Sequence, residues 1–117
     1  VKKFILLNVS AAFHSKYMFN AQQELSKEIE KLIFKENDIQ IISNYDAKNY
    51  KDNLLIKKNL QNQMASRVNW TQSIKKLEEF GENKIIEIGP GKVLSGLIKR
   101  ISNNFDIRSI DKVSDIN

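Results

Sequence analysis

Lys84-Ile85-Ile86-Glu87-Ile88-Gly89-Pro90-Gly91-Lys92 is the stretch on which the fold class turns. The run Lys84–Ile88 reads as a strand, and Gly89-Pro90-Gly91 bends it sharply into a helix. The apolar face of that last helix is Leu94, Leu97, Ile98, Ile101 and Phe105. Beyond it, Ile107-Arg108-Ser109-Ile110 reads as a short terminal strand, and the tail after Asp111 is expected to fray. Working back from residue 84, Trp70, Ile74 and Leu77 mark a helix stopped by Gly81 as its C-terminal cap. Residues 54–64 form another helix, and the polar residues 47–53 before it read as a loop.

Further upstream, Ile39-Gln40-Ile41-Ile42-Ser43 reads as a strand, ended by the turn-forming Asn44-Tyr45-Asp46. Over residues 16–34, Met18, Ala21, Gln22, Leu25, Ile29, Leu32 and Ile33 recur at helical spacing, and Gln22 is the one polar member. This is the longest expected helix, and its outer face is rich in Glu and Lys. Phe4-Ile5-Leu6-Leu7 is a continuous apolar run, the pattern of a strand buried on both faces. Strands alternating with helices predict an α/β fold: a partial, largely parallel sheet with flanking helices. Such a sheet needs helices on both faces, and this chain supplies only part of that cover.

The chain of 117 residues has room for one small domain, with 41% hydrophobic residues to build its core. No apolar run approaches the roughly 20 residues of a membrane span. Residues 1–7 resemble the charged and apolar parts of a signal peptide, but the apolar part is too short and no small-residue cleavage site follows. The absence of cysteine rules out disulfides and thiolate metal sites and fits a reducing cytosol. The net charge of +5 is carried mainly by lysines interleaved with acids, and Arg67, Arg100 and Arg108 are the only arginines. This is the pattern of a solvated surface. A nucleic-acid binder would show a concentrated patch and affinity falling steeply with salt. The chain begins at Val1, and its first methionine, Met18, follows its only histidine. An excerpt of a longer protein is therefore expected.

That histidine, His14, sits in Val9-Ser10-Ala11-Ala12-Phe13-His14-Ser15, between an apolar strand and an amphipathic helix. Histidine exchanges a proton near neutral pH and can serve a serine nucleophile as general base, given a third group that orients its other nitrogen. The alternative is a histidine simply packed at a strand end. Ser10, Ser15 and Ser95 all lack the tight Gly-x-Ser-x-Gly elbow that exposes a nucleophile, and all three read as structural. Gly89-Pro90-Gly91-Lys92 precedes a helix N-terminus, where phosphate can meet backbone N–H groups. It lacks the spacing of a phosphate-binding loop, and Pro90 removes a donor, so a tight turn without a ligand is the better reading. One histidine and no cysteine leave nothing that resembles a transition-metal site.

Taken together, these segments resemble the malonyl-CoA:acyl carrier protein transacylases. Val9-Ser10-Ala11-Ala12-Phe13-His14-Ser15-Lys16-Tyr17-Met18 is similar to the family's histidine segment, and Ile41-Ile42-Ser43-Asn44-Tyr45-Asp46-Ala47 to the strand and turn that follow. Leu60-Gln61-Asn62-Gln63-Met64 with Val68-Asn69-Trp70-Thr71 resembles its Gln-Leu and Val-x-Trp stretch. Ile86-Glu87-Ile88-Gly89-Pro90-Gly91-Lys92-Val93-Leu94 is close to its Glu-(Ile/Val)-Gly-Pro-Gly-Lys-Val-Leu signature. Four blocks in the family's order, over about residues 1–105, make the resemblance specific.

The resemblance implies a ping-pong acyl transfer in fatty acid biosynthesis, with malonyl-CoA and acyl carrier protein as partners and no cofactor. His14 matches the catalytic histidine, and Gln63 the residue whose carbonyl orients the imidazole. Phe13 matches the aromatic position that accompanies malonyl choice, a preference worth only about 1–3 kcal/mol per methylene excluded. The family's serine elbow, its glutamine-rich oxyanion loop and its carboxylate-binding arginine have no counterparts in these residues. Arg67 stands where the family often has proline. By resemblance, residues 1–7 are the last strand of an inserted ferredoxin-like subdomain. Residues 8–117 would be the C-terminal part of a large α/β-hydrolase-like subdomain, with the serine on a missing N-terminal part. The chain alone is expected to be inactive, with no membrane or nucleic-acid partner. A non-catalytic relic or one half of a split enzyme is the alternative.

Overall fold

Ser15 starts the first ordered helix by local chemistry. Its extended backbone (φ −135°, ψ 166°) lets its hydroxyl accept from the Tyr17 N–H, and a 3₁₀ turn over Lys16–Met18 leads into α1 (Phe19–Lys31). The structure, a computed structural model, describes residues 10–36 and 38–116. The strand expected at Phe4-Ile5-Leu6-Leu7 lies outside them. The chain divides into two units, Val1–Val68 and Asn69–Asn117.

In the first unit α1 ends at Lys31, short of the expected residue 34, because Leu32 is extended (φ −76°, ψ 138°). Ile33, expected on the buried face, is 91% exposed, and Ile29 is the buried residue of that stripe. The loop expected at 47–53 contains a strand. β1 (Ile41–Ile42) pairs antiparallel with β2 (Asn49–Tyr50), Ile41 opposite Tyr50. The turn between them is closed by its own polar groups, which a reading of periodicity passes over. Ala47 N–H donates to Ser43 O (2.7 Å), and the Asp46 carboxylate accepts from Lys48 N–H (3.2 Å) and the Tyr50 hydroxyl (2.5 Å). Asp52 then caps α2 (Asn53–Gln63) by accepting from Leu55 N–H at 2.9 Å.

The second unit is a strand–helix–strand crossover preceded by a helix. α3 (Trp70–Glu79) stops where expected, at Gly81, whose φ of +75° reverses the chain so that Glu82 N–H reaches Leu77 O (3.2 Å). β3 (Lys84–Ile88), α4 (Val93–Ile101) and β4 (Asp106–Ile110) follow, the strands pairing parallel from Lys84 opposite Asp106 to Ile88 opposite Ile110. Ile74, Ile98 and Phe105 form the core, with Trp70, Leu77, Ile85, Ile101 and Ile107 packed around them. Phe105 reaches it from the link after α4 and not from the helix face on which it was expected. Ile86 and Ile88 point away from this core and are exposed, as a parallel sheet covered on one face requires.

The tail was expected to fray after Asp111. Instead it closes a 3₁₀ turn, Val113–Ile116, in which the Asp115 carboxylate accepts from Asp111 N–H (3.0 Å) and Lys112 N–H (2.9 Å). These bonds, that from Lys112 first, hold the Asp115 carboxyl below its ordinary range.

Candidate functional site

His14 occupies a left-handed backbone conformation, φ +61°. For a residue with a Cβ this costs roughly 1–2 kcal/mol and persists only where surrounding bonds enforce it. Those bonds come from the C-terminal end of α2. His14 N–H donates to Met64 O at 2.9 Å, and its ring Nδ1 lies 3.2 Å from the main-chain oxygen of Gln63. The last carbonyls of a helix have no partners within it, so His14 supplies donors to two acceptors that α2 leaves over. Behind it, Ser15 Oγ donates to Ala12 O at 2.7 Å and braces the turn.

The Gln63 contact decides the tautomer. A carbonyl oxygen can only accept, so Nδ1 carries the proton and Nε2 keeps its lone pair. The residue named from sequence is therefore brought to the histidine, through its main-chain carbonyl and not its side-chain amide. The amide instead donates to Ser66 O at 3.3 Å. His14 is exposed. Phe13, 55% exposed, flanks it with ring centroids 6.5 Å apart and planes tilted by 49°.

What places α1 and α2 so that these atoms meet is a set of polar rungs. Ala65 N–H donates to Gln22 Oε1 (2.7 Å), Gln61 Nε2 to Ser26 O (3.3 Å), and Lys57 Nζ to Glu30 O (2.7 Å). Residues 22, 26 and 30 meet 65, 61 and 57, steps of four in opposite directions, as in an antiparallel helix pair. Among these, sequence reasoning singled out only Gln22. The signal that could have found the rest is the four-residue spacing of polar Gln22, Ser26 and Glu30 on α1 and of Lys57 and Gln61 on α2; the Ala65 end, a main-chain N–H, carries no such signal.

The glycine turn after β3 has a different answer. Glu87, buried beneath it, accepts from the N–H groups of Leu94 and Ser95 (3.0 Å each), from the Ser95 hydroxyl, and from the Ser109 hydroxyl at 3.2 Å. The Leu94 and Ser95 N–H groups in the first turn of α4, donors that an anion would need, are thus taken by Glu87. Ser95 is committed to this cluster as a structural residue. The Ser95 hydroxyl above all, then the two amides, holds the Glu87 carboxyl below its ordinary range. A carboxylate lowered in the folded state adds stability above its unfolded pKa and loses it as pH falls through the folded one. Glu87→Gln should therefore melt earlier than the parent at pH 7, with the gap closing on acidification below the ordinary glutamate range. A gap constant with pH in calorimetry would contradict this.

Among the described residues, no group of three or more His, Asp and Glu side chains is arranged to hold a metal. No helix there is long and apolar enough to cross a membrane.

No family model matches the chain. Individual proteins do. It is 48% identical over 103 residues to the polyketide biosynthesis protein PksE of Bacillus subtilis, covering 88% of this chain and 13% of that protein. It is 36% identical to the malonyl CoA-acyl carrier protein transacylase of Staphylococcus aureus, over 98% of this chain and 37% of the relative. The crystal structure of the malonyl-CoA:ACP transacylase of Synechocystis superposes with a TM-score of 0.91 at 31% identity, over 99% of this chain and 40% of that one. The α/β arrangement expected from sequence is the arrangement found in these structures. By sequence and by fold, the chain's homologues and structural neighbours are malonyl-CoA:acyl carrier protein transacylases, and it spans about 37–40% of the length of those compared.

Proposed function

We propose that this chain supplies the histidine side of a malonyl transfer site, as the C-terminal part of a malonyl-CoA:acyl carrier protein transacylase of fatty acid or polyketide synthesis. The observation that carries the reading is His14, forced into a left-handed backbone with Nδ1 on the Gln63 carbonyl and Nε2 left basic. On this reading residues 1–7 end the inserted ferredoxin-like subdomain and residues 8–117 belong to the large one. The setting is the cytoplasm, in keeping with a cysteine-free chain.

The chemistry follows from the tautomer. A serine from polypeptide carrying a Gly-His-Ser-x-Gly elbow, which does not occur in these 117 residues, attacks the thioester carbonyl of malonyl-CoA. His14 Nε2 takes the serine proton and returns it to the departing coenzyme A sulfur as the C–S bond breaks. The carrier protein's thiol then gives its proton to Nε2 and attacks the malonyl ester, and serine oxygen leaves with that proton. Through both halves Nδ1–H stays on the Gln63 carbonyl, which fixes the ring without adding a buried negative charge. Phe13, beside the ring, narrows the space an α-methyl would need and tilts selection toward malonyl.

Radiolabelled malonyl-CoA should leave no adduct on the chain alone. Mixed with a polypeptide bearing the serine elbow, it should yield labelled carrier protein. A denaturation-stable adduct on the chain alone would overturn the assignment of roles. Absence of transfer in every mixture would favour a non-catalytic binding piece or relic.

A further inference from the structure

Gln22 is the polar exception on the inward stripe of α1, and the transfer chemistry above gives it no task. Its Oε1 accepts from Ala65 N–H at 2.7 Å. Ala65 follows directly on the two residues that hold His14, since Gln63 O meets the ring and Met64 O the backbone. We propose that Gln22 is a positioning residue for His14. It pins the turn after α2 so that the Gln63 carbonyl stays in line with Nδ1.

The argument is one of geometry and alternatives. Beside the His14 N–H on Met64 O (2.9 Å), the turn at residues 63–66 carries two local bonds, Ser66 N–H on Gln63 O (3.2 Å) and Gln63 Nε2 on Ser66 O (3.3 Å). Both bonds can swing with the turn as a unit, so neither fixes it against the rest of the fold. The Gln22 bond runs from α1, the helix that begins five residues after His14, and closes a loop of constraints. His14 leads into α1, α1 holds Ala65 through Gln22, and the residues before Ala65 hold His14. Without the Gln22 acceptor, Ala65 N–H must seek water, and the turn is free to rotate its carbonyls away from the ring. The other rungs, Ser26 with Gln61 and Glu30 with Lys57, hold the helices together farther from the histidine. The proposal deepens the transfer reading and rests on it for its functional meaning.

Because His14 is the only histidine, its ring nitrogens can be read on the intact chain by ¹⁵N–¹H correlation at a pH where the ring is neutral. The parent chain should show the Nδ1–H tautomer. Gln22→Met keeps the length but removes the acceptor, and should shift the tautomer ratio roughly three- to tenfold toward Nε2–H. Gln22→Glu retains an acceptor oxygen and should stay close to the parent, as should Lys57→Met, which removes a distant rung. An unchanged ratio in Gln22→Met overturns the proposal, and so does an equal shift in Lys57→Met, which would mean helix pairing in general. If Gln22→Met does not fold, Gln22→Asn carries the same expectation with the acceptor withdrawn by one methylene. The ring is read without any acyl transfer, so a failure here is distinguishable from a failure of the transfer reading.

Discussion

His14→Ala should lower malonyl transfer roughly 10²- to 10⁴-fold in a mixture that supplies the serine elbow, the range expected for loss of a positioned general base. Gln63→Ala should cost less than about threefold, although Gln63 is the ring's partner. The acceptor is its main-chain carbonyl, which alanine also provides. Only the part-buried bond from the side-chain amide to Ser66 O is removed, and a bond of that kind contributes about 1 kcal/mol. In a triad whose third member is a side-chain carboxylate, the same substitution removes the orienting group itself. Initial rates of carrier malonylation for the two variants check this contrast. A loss with Gln63→Ala comparable to that with His14→Ala would show that the amide, not the backbone, orients the ring.

Ile98→Ala should destabilise the second unit by about 3–4 kcal/mol, the range for a fully buried aliphatic whose cavity cannot collapse. Ile98 is 2% exposed, the most buried side chain described, and it clusters with buried Ile74 and Phe105. A unit of this size has little stability in reserve, so the variant should lose amide-exchange protection across α4, β3 and β4. Leu97→Ala, next to it but 38% exposed, should cost about 1 kcal/mol or less. Urea titration followed by the fluorescence of Trp70, the single tryptophan and a member of that unit, separates the two. Equal midpoints would mean that the core is not where the burial puts it.

The elements most legible in the sequence are those whose signals are local. β3 was readable residue for residue, because its apolar run is bounded by a glycine turn, and Gly81 was readable as a helix stop because only a residue without Cβ reverses the chain so cheaply. β2 was not, because a two-residue strand of Asn49 and Tyr50 has no periodicity and exists only through its partner across a side-chain-closed turn. The end of α1 and the ordered tail were misread for the same reason. Leu32 and Ile33 continue the helical spacing, and nothing in the Asp111-to-Asp115 stretch announces that a carboxylate will gather two amides.

What the sequence by itself determined is the chemistry available: one imidazole ahead of an amphipathic helix, no thiol, no serine elbow, and four blocks in the order of a known acyltransferase. Tertiary structure alone decided how that imidazole is held. The bond to a main-chain carbonyl 49 residues away, the left-handed backbone at His14 and the rung at Gln22 depend on two helices meeting in one register. Main-chain carbonyls are the same at every residue, so no pattern of side chains can indicate which of them will accept the proton.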